Sequence, residues 1–186
     1  MGNRFHAHVK RICIETMRQR VLHFRFKAAE LNMTAQISES LTYQGKDYSL
    51  CAEPLSPRLV RRRNKHIRFQ RRNTACSRGY VGSWEIVEDH LYLVRISANF
   101  PDGRAVTIGD LFPDSPDRVF AGWVTGELRC PSGRLLGYVH SGYSSVFERD
   151  LLLRFQDGVL VDQRTVVNEP PEPNEFDLLF DDLPGD

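Results

Sequence analysis

From Ile37 onward the hydrophobic positions recur with a period of two. Ile37, Glu39, Leu41 and Tyr43 alternate with polar neighbours, and Tyr48 and Leu50 resume the alternation beyond Gln44-Gly45-Lys46-Asp47. A glycine-bearing turn between two alternating runs predicts a β-hairpin, closed off by Pro54 and Pro57. A second pair, Tyr80–Val87 and Leu91–Ala98, flanks Glu88-Asp89-His90, with Trp84, Ile86, Leu91, Leu93 and Ile96 as its expected core. Phe100-Pro101-Asp102-Gly103 is a turn signal. Past the proline-rich stretch 112–116, Val119–Arg129 reads as one long strand with a bend at Gly122 or Gly126. Pro131-Ser132-Gly133 predicts a reversal into Leu135–His140, and Ser145–Phe155 with Val159–Val167 predicts a last hairpin across Gln156-Asp157-Gly158. Six to eight strands with short turns and no helix between them predict a mainly β fold: a curled antiparallel sheet, a sandwich or a partly open barrel.

Upstream the period is helical. Val9, Ile12, Cys13, Met17, Val21, Phe24, Ala28 and Leu31 fall three or four residues apart, with Lys10, Arg11, Arg18, Arg20, Arg25 and Lys27 on the other faces. Residues 1–32 therefore read as a basic amphipathic helix, or as an over-extended gene start ahead of Met33. Residues 33–168 read as one β-rich domain containing a basic connector, 58–78. Residues 169–186, opening Glu169-Pro170-Pro171-Glu172-Pro173, read as a disordered acidic tail.

At 186 residues the chain suits one domain with tails, and its net charge of +1 conceals a segregation. Residues 1–32 hold seven Lys/Arg against two Glu, residues 58–78 hold nine and no acid, and residues 169–186 hold seven acids and no base. Such asymmetry suits opposed partners or contact between distant parts of one chain. The four cysteines, Cys13, Cys51, Cys76 and Cys130, are too few for a disulfide scaffold and wrongly spaced for zinc. Reduced thiols in a cytoplasmic protein are the expectation. No apolar run reaches the ~18–20 residues of a membrane span, and no cofactor or metal is expected.

Three segments carry a particular look: Gly79-Tyr80-Val81-Gly82-Ser83-Trp84-Glu85-Ile86 with Leu91-Tyr92-Leu93; Phe120-Ala121-Gly122-Trp123 with Gly126-Glu127-Leu128-Arg129; and Tyr138-Val139-His140-Ser141-Gly142-Tyr143. Together they resemble a family of uncharacterised bacterial β-rich proteins over about residues 36–168. The resemblance implies a β-rich fold and a start near Met33. It implies no activity, cofactor or catalytic residue.

Three surfaces could carry function. In the basic connector, Arg61, Arg62, Arg63, Lys65, Arg68, Arg71 and Arg72 are candidate phosphate contacts, because guanidinium groups match phosphate geometry. With Phe69 the one aromatic among them, binding would be non-specific and strongly salt-dependent. The plainer reading is a solvated loop, or one neutralised by the acidic tail. His140 with Glu148 or Glu127 is a weak candidate for acid–base catalysis, but Ser141-Gly142-Tyr143-Ser144-Ser145 lacks the form of a nucleophile elbow. In the tail, Phe176, Leu179 and Phe180 interleave with acids, as in short segments that fold into a partner's groove. The leading expectation is a small cytoplasmic β-domain that binds a protein partner, of immunity or accessory type. Nucleic-acid association through 58–78 comes second and an enzyme using His140 third. Oligomeric state is not legible.

Overall fold

The computed structural model describes residues 34–61, 67–71 and 73–171. Strands β1 (Glu39–Tyr43) and β2 (Lys46–Leu50) are followed by a short helix α1 (Ser56–Arg61) and a 3-10 turn (Thr74–Cys76). Then come β3 (Tyr80–Val87), β4 (His90–Ala98), a one-turn helix α2 (Ile108–Leu111), β5 (Val119–Phe120), β6 (Gly126–Gly137), β7 (Val146–Gln156) and β8 (Val159–Val167). The fold is mainly β, as the alternation predicts. The strands form an eight-stranded sheet in the order β2-β1-β3-β4-β8-β7-β6, with β5 beside β4.

Two-residue turns set the hairpins. Gln44-Gly45, Glu88-Asp89 and Asp157-Gly158 all hold positive φ at both positions, the twist that matches right-twisted flanking strands. Alternation then sorts the faces. Trp84, Ile86, Leu91, Leu93 and Ile96 are all buried, joined by Leu41, Leu50, Leu128, Leu153 and Phe155.

Four details differ from the sequence reading. The sheet is mixed, because β1 and β3 pair in parallel with Leu41 beside Trp84. The β1–β2 hairpin returns the chain to the start of β1, so a strand laid on β1's free edge from there must run in β1's direction. Second, two short helices lie between strands. α2 is started by a capping box in which Thr107 and Asp110 satisfy each other's backbone N–H. Third, Val119–Arg129 is two strands, since Ala121 N–H turns to the Leu91 carbonyl (2.8 Å) and Val124 N–H closes back on Ala121 (2.9 Å). Fourth, Pro131-Ser132-Gly133 does not reverse the chain. β6 runs through it to Gly137, shifting register against β7 between Ser132 and Leu135. Among the described residues β6 ends the sheet, and an edge strand tolerates a residue with no N–H to donate.

Register shifts also interrupt β3–β4 at Ser83/Trp84 and β7–β8 at Arg154/Phe155. Bulges bend the strands that carry them, and the sheet curls until the end of β2 reaches β6, where Cys51 N–H donates to the Arg129 carbonyl at 2.9 Å. The β3–β4 and β7–β8 hairpins overlap only at their tips, through the pair His90–Val159. Leu91 N–H also bonds Gly158 O, and Leu160 N–H bonds Asp89 O.

That tip contact rests on Gly158. A Cβ there would stand 2.7–2.9 Å from the backbone of Ala121 and Gly122, at φ +81°. Gly158→Ala should cost about 2–4 kcal/mol, combining left-handed strain with displaced backbone. Gly45→Ala, at φ +71° in open space, should cost only the strain, about 1–2 kcal/mol. Urea unfolding midpoints at unchanged slope would check both, and equal losses would refute the packing argument.

Candidate functional site

The innermost polar group is Glu39. Its position on β1 shares the inward alternation of Leu41 and Tyr43, so its carboxylate is folded into the core with a fully buried side chain. Trp84 Nε1 donates to Oε2, and the Gly82 backbone adds a further hydrogen bond. Gly82 has to be a glycine, since a Cβ would lie 2.6 Å from Glu39 Oε2 and 2.8 Å from Trp84 Nε1.

Arg78 comes in from the end of the basic connector, its side chain only 5% exposed, with Nε 3.2 Å from Glu39 Oε1. That contact is an ion pair rather than an aligned hydrogen bond, for neither atom has a hydrogen-bond partner. The other guanidinium nitrogens are better placed. One donates to the Tyr143 hydroxyl (3.0 Å) and the other to the Ile37 carbonyl (2.9 Å). Glu53 stands 3.7 Å from the same guanidinium and accepts from Ser56 Oγ at 2.9 Å. Ser56 in turn meets the Tyr80 hydroxyl at 2.7 Å, and the Arg78 guanidinium lies 5.4 Å from the Tyr80 ring centre. One network therefore ties β1, β3, the start of α1 and the 140s loop together.

Burial dominates its electrostatics. Loss of solvent pushes the Glu39 carboxyl up to about 7, against the opposing pull of Trp84, Arg78 and the Gly82 backbone. Burial likewise raises the Tyr80 and Tyr143 hydroxyls and pushes the Cys130 thiol up to about 12. A carboxyl poised near neutrality is a familiar acid–base device. Here Oε2 accepts from Trp84, Oε1 faces Arg78 and the side chain meets no solvent, so the network works as a structural clamp.

A second node holds the 140s loop. Arg129 bonds Asp150 through Nε (2.8 Å) and the carbonyls of Tyr143 (2.8 Å) and Ser145 (2.9 Å) through its two amino groups. Asn168 bonds the other Asp150 oxygen at 2.9 Å. On the loop so held, Val139 N–H donates to Ser145 Oγ at 3.1 Å. Beside it Leu135, Tyr138 and Val139 are 45%, 62% and 38% exposed. A cleft of about 150 Å³ lies elsewhere, lined by Gln70, Asn73, Cys76, Ser97 and Asn99 among others.

The residues singled out from sequence scatter. His140 Nδ1 pairs with the Tyr138 hydroxyl at 2.9 Å. Glu148 accepts from Arg134 N–H (3.3 Å) and lies 3.7 Å from Arg149. Glu127 pairs with Arg164 at 2.7 Å. Arg68 and Arg71 are exposed, whereas Arg58 lies over the Trp123 ring at 5.7 Å and Arg78 is buried. The side chain of Arg61, all of Arg62, Arg63, Lys65 and Arg72, the helix expected over 9–31, and Phe176, Leu179 and Phe180 lie outside the described residues. Among the described residues no group of three or more His, Cys, Asp or Glu could hold a metal, and no helix is long and apolar enough to cross a membrane. Sequence reasoning missed Glu53, Ser56, Arg78 and Tyr143 as one network. Glu39 at an inward position was the available signal.

Comparison with protein-family models, with curated proteins and with solved structures finds no match to this chain. The resemblance over 36–168 is thus one of pattern and assigns no family.

The raised Glu39 carboxyl has a signed consequence. Folded Glu39 holds its proton to about pH 7, while an unfolded glutamate releases it near 4.5. Its protonation therefore stabilises the fold fully below about pH 4.5, and the benefit is lost as pH rises through 7. Relative to Glu39→Gln, which keeps an acceptor for Trp84 and cannot ionise, the wild type should lose about 1–3 kcal/mol between pH 5 and pH 8. Parallel stability curves in urea over that range would refute it.

Proposed function

We propose that this chain is a cytoplasmic binding module whose partner is another protein, docked on the exposed apolar end of β6. One observation carries the reading: Leu135, near the end of β6, and Tyr138 and Val139, just beyond it, stand exposed within five residues of one another, where the loop that follows is fixed by Arg129 and Ser145. Exposed apolar residues that cluster, rather than lie singly, mark interaction sites, and Tyr is among the side chains that most often anchor an interface. The free thiols of Cys51, Cys76 and Cys130 suit a reducing compartment.

A second reading, association with nucleic acid, draws support from the exposed Arg68 and Arg71. Against it, the internal contacts of Arg58 and Arg78 withdraw two of the connector's nine cations from any phosphate.

The test pairs capture with a salt titration. Proteins retained by the wild-type chain should be lost with Leu135→Asp/Tyr138→Ala at an unchanged melting temperature. With the purified partner, Kd should rise about 30-fold or more, the effect of truncating an interface anchor. Partners that the variant retains would overturn the reading. Binding of labelled DNA or RNA that collapses between 50 and 300 mM salt would instead favour the basic connector.

A further inference from the structure

Among the described residues, strand β8 is paired along its length on one side and only at its start on the other. On its β7 side the ladder is continuous from Gln156–Val159 to Arg149–Val167, apart from the single shift at Arg154/Phe155. On its other side, among the described residues, the pairing with β4 is confined to the His90–Val159 end, the last backbone hydrogen bond being Leu160 N–H to Asp89 O. Beyond it the Tyr43 hydroxyl donates to Gln163 Oε1 at 3.0 Å, a side-chain contact that leaves the β8 backbone unpaired. From Val161 on, the strand runs past the tip of the β3–β4 hairpin. Residues 161–165 are all exposed, and Val167 is 74% exposed. A long open edge is a template for another strand, and proteins usually blunt one with Lys, Pro or charges of one sign that repel a second copy. β8 reads Val-Leu-Val-Asp-Gln-Arg-Thr-Val-Val and contains neither Lys nor Pro, and its two charges, Asp162 and Arg164, are opposite and can answer each other.

We propose that β8 is a self-pairing edge through which two copies of this chain join, antiparallel, about a twofold axis at Gln163. In such a pair each residue faces the one equally far beyond the axis. Asp162 then faces Arg164 of the second copy, twice by symmetry, and Val161 faces Thr165. Each charge already has a partner on its own sheet: Arg154 stands 3.8 Å from Asp162, and Glu127 stands 2.7 Å from Arg164. Joining the copies extends these into a row of alternating sign: Glu127, Arg164, then Asp162 and Arg154 of the other copy. Directly opposed cross-strand residues interact most strongly, and opposite charges there are favourable. Moving the axis one residue either way sets Asp162 against Asp162 or Arg164 against Arg164, so the charges also select the register. Twofold pairing of identical surfaces is the commonest mode of assembly.

The test exploits this complementarity. Sedimentation velocity on the full chain at increasing concentration should show a dimer. Asp162→Arg and Arg164→Asp should each weaken it at least tenfold, because like charges then face each other. An equimolar mixture of the two should restore it, since one chain then presents only arginines and the other only aspartates. Both contacts disturbed within the monomer are exposed pairs of little stabilising value, and circular dichroism would verify that both variants fold. Independently of any variant, wild-type amides 161–165 should become more protected from hydrogen exchange as concentration rises. A chain that stays monomeric at hundreds of micromolar would overturn the proposal, and so would a dimer indifferent to both substitutions. Protection of these amides that is independent of concentration would show the edge covered by the chain itself, with the same consequence.

Discussion

A carboxylate with no access to water has to be met by donors, and the placement of Glu39 obliges much of this fold. Its position on β1 follows from the register that puts Leu41 and Tyr43 into the core. A shift of one residue would rescue Glu39 only by expelling both. With the strand committed, the carboxylate is answered from the neighbouring strand by Trp84 and the Gly82 backbone, and from the connector by Arg78. The first two come from β3, which lies against β1 in parallel, and the third from the connector, which returns to the sheet at residue 78. Once Glu39 ionises, above about pH 7, the buried ion pair contributes little net stability after desolvation is counted, yet removing one partner strands the other at a cost of about 3–5 kcal/mol. Its effect is therefore to penalise other arrangements of these strands.

The same clamp explains how so basic a connector is built. Its charges divide by position. Arg58, at one end, stacks on Trp123, whose indole N–H bonds the Pro54 carbonyl at 2.8 Å. At the other end Phe69 packs edge-on against Tyr80 at 5.5 Å, Gln70 N–H bonds the Asn99 carbonyl at 2.7 Å, and Arg78 enters the core. Arg68 and Arg71, on either side of Phe69 and Gln70, are exposed. Counting charges by segment treats nine cations as one property, whereas the fold sends some to solvent and spends others on aromatic faces and a carboxylate.

What the sequence made legible follows from range. The period-two alternation and the turn residues are local signals, so Tyr80–Val87, the turn at Asp157-Gly158 and the five expected core residues of β3 and β4 could be read directly. Three things could not. The parallel partner of β1 lies beyond the connector, and no local pattern encodes which edge a strand returns to. Pro131 and Gly133 carry a turn's composition but sit in an edge strand, where missing donors and bulges are tolerated. The clamp joins residues 39, 53, 56, 78, 80, 84 and 143, which no spacing rule connects. A single hint stood in plain view: Glu39 occupies an apolar slot of the β1 alternation, and a charge in such a slot calls for a partner. His140 and Glu148, close in sequence, pointed the other way. They flank a loop whose fixed geometry comes from Arg129, which no motif marks.

Curvature connects the interior to the two surfaces with unspent capacity. Bulges in β3–β4, β6–β7 and β7–β8 let one sheet bend round until β2 meets β6, and Leu55, Ile108, Leu111 and Phe112 from the segments between strands complete the core. Bending has a geometric cost: hairpins that would lie side by side in a flat sheet are offset along their length. β3–β4 and β7–β8 consequently meet only at their tips, and the backbone of β8 beyond Val161 is left without a paired strand on that side among the described residues, where only the Tyr43 hydroxyl reaches the Gln163 side chain. At the other extreme, β6 outruns the regular part of its ladder with β7 and exposes Leu135 and Tyr138. Both features are where the alternating pattern continues past the interior it was built to cover. Edge and patch are thus by-products of closing a small core with long strands, and such unmatched ends are where a sheet of this kind has backbone and apolar groups left to offer another molecule.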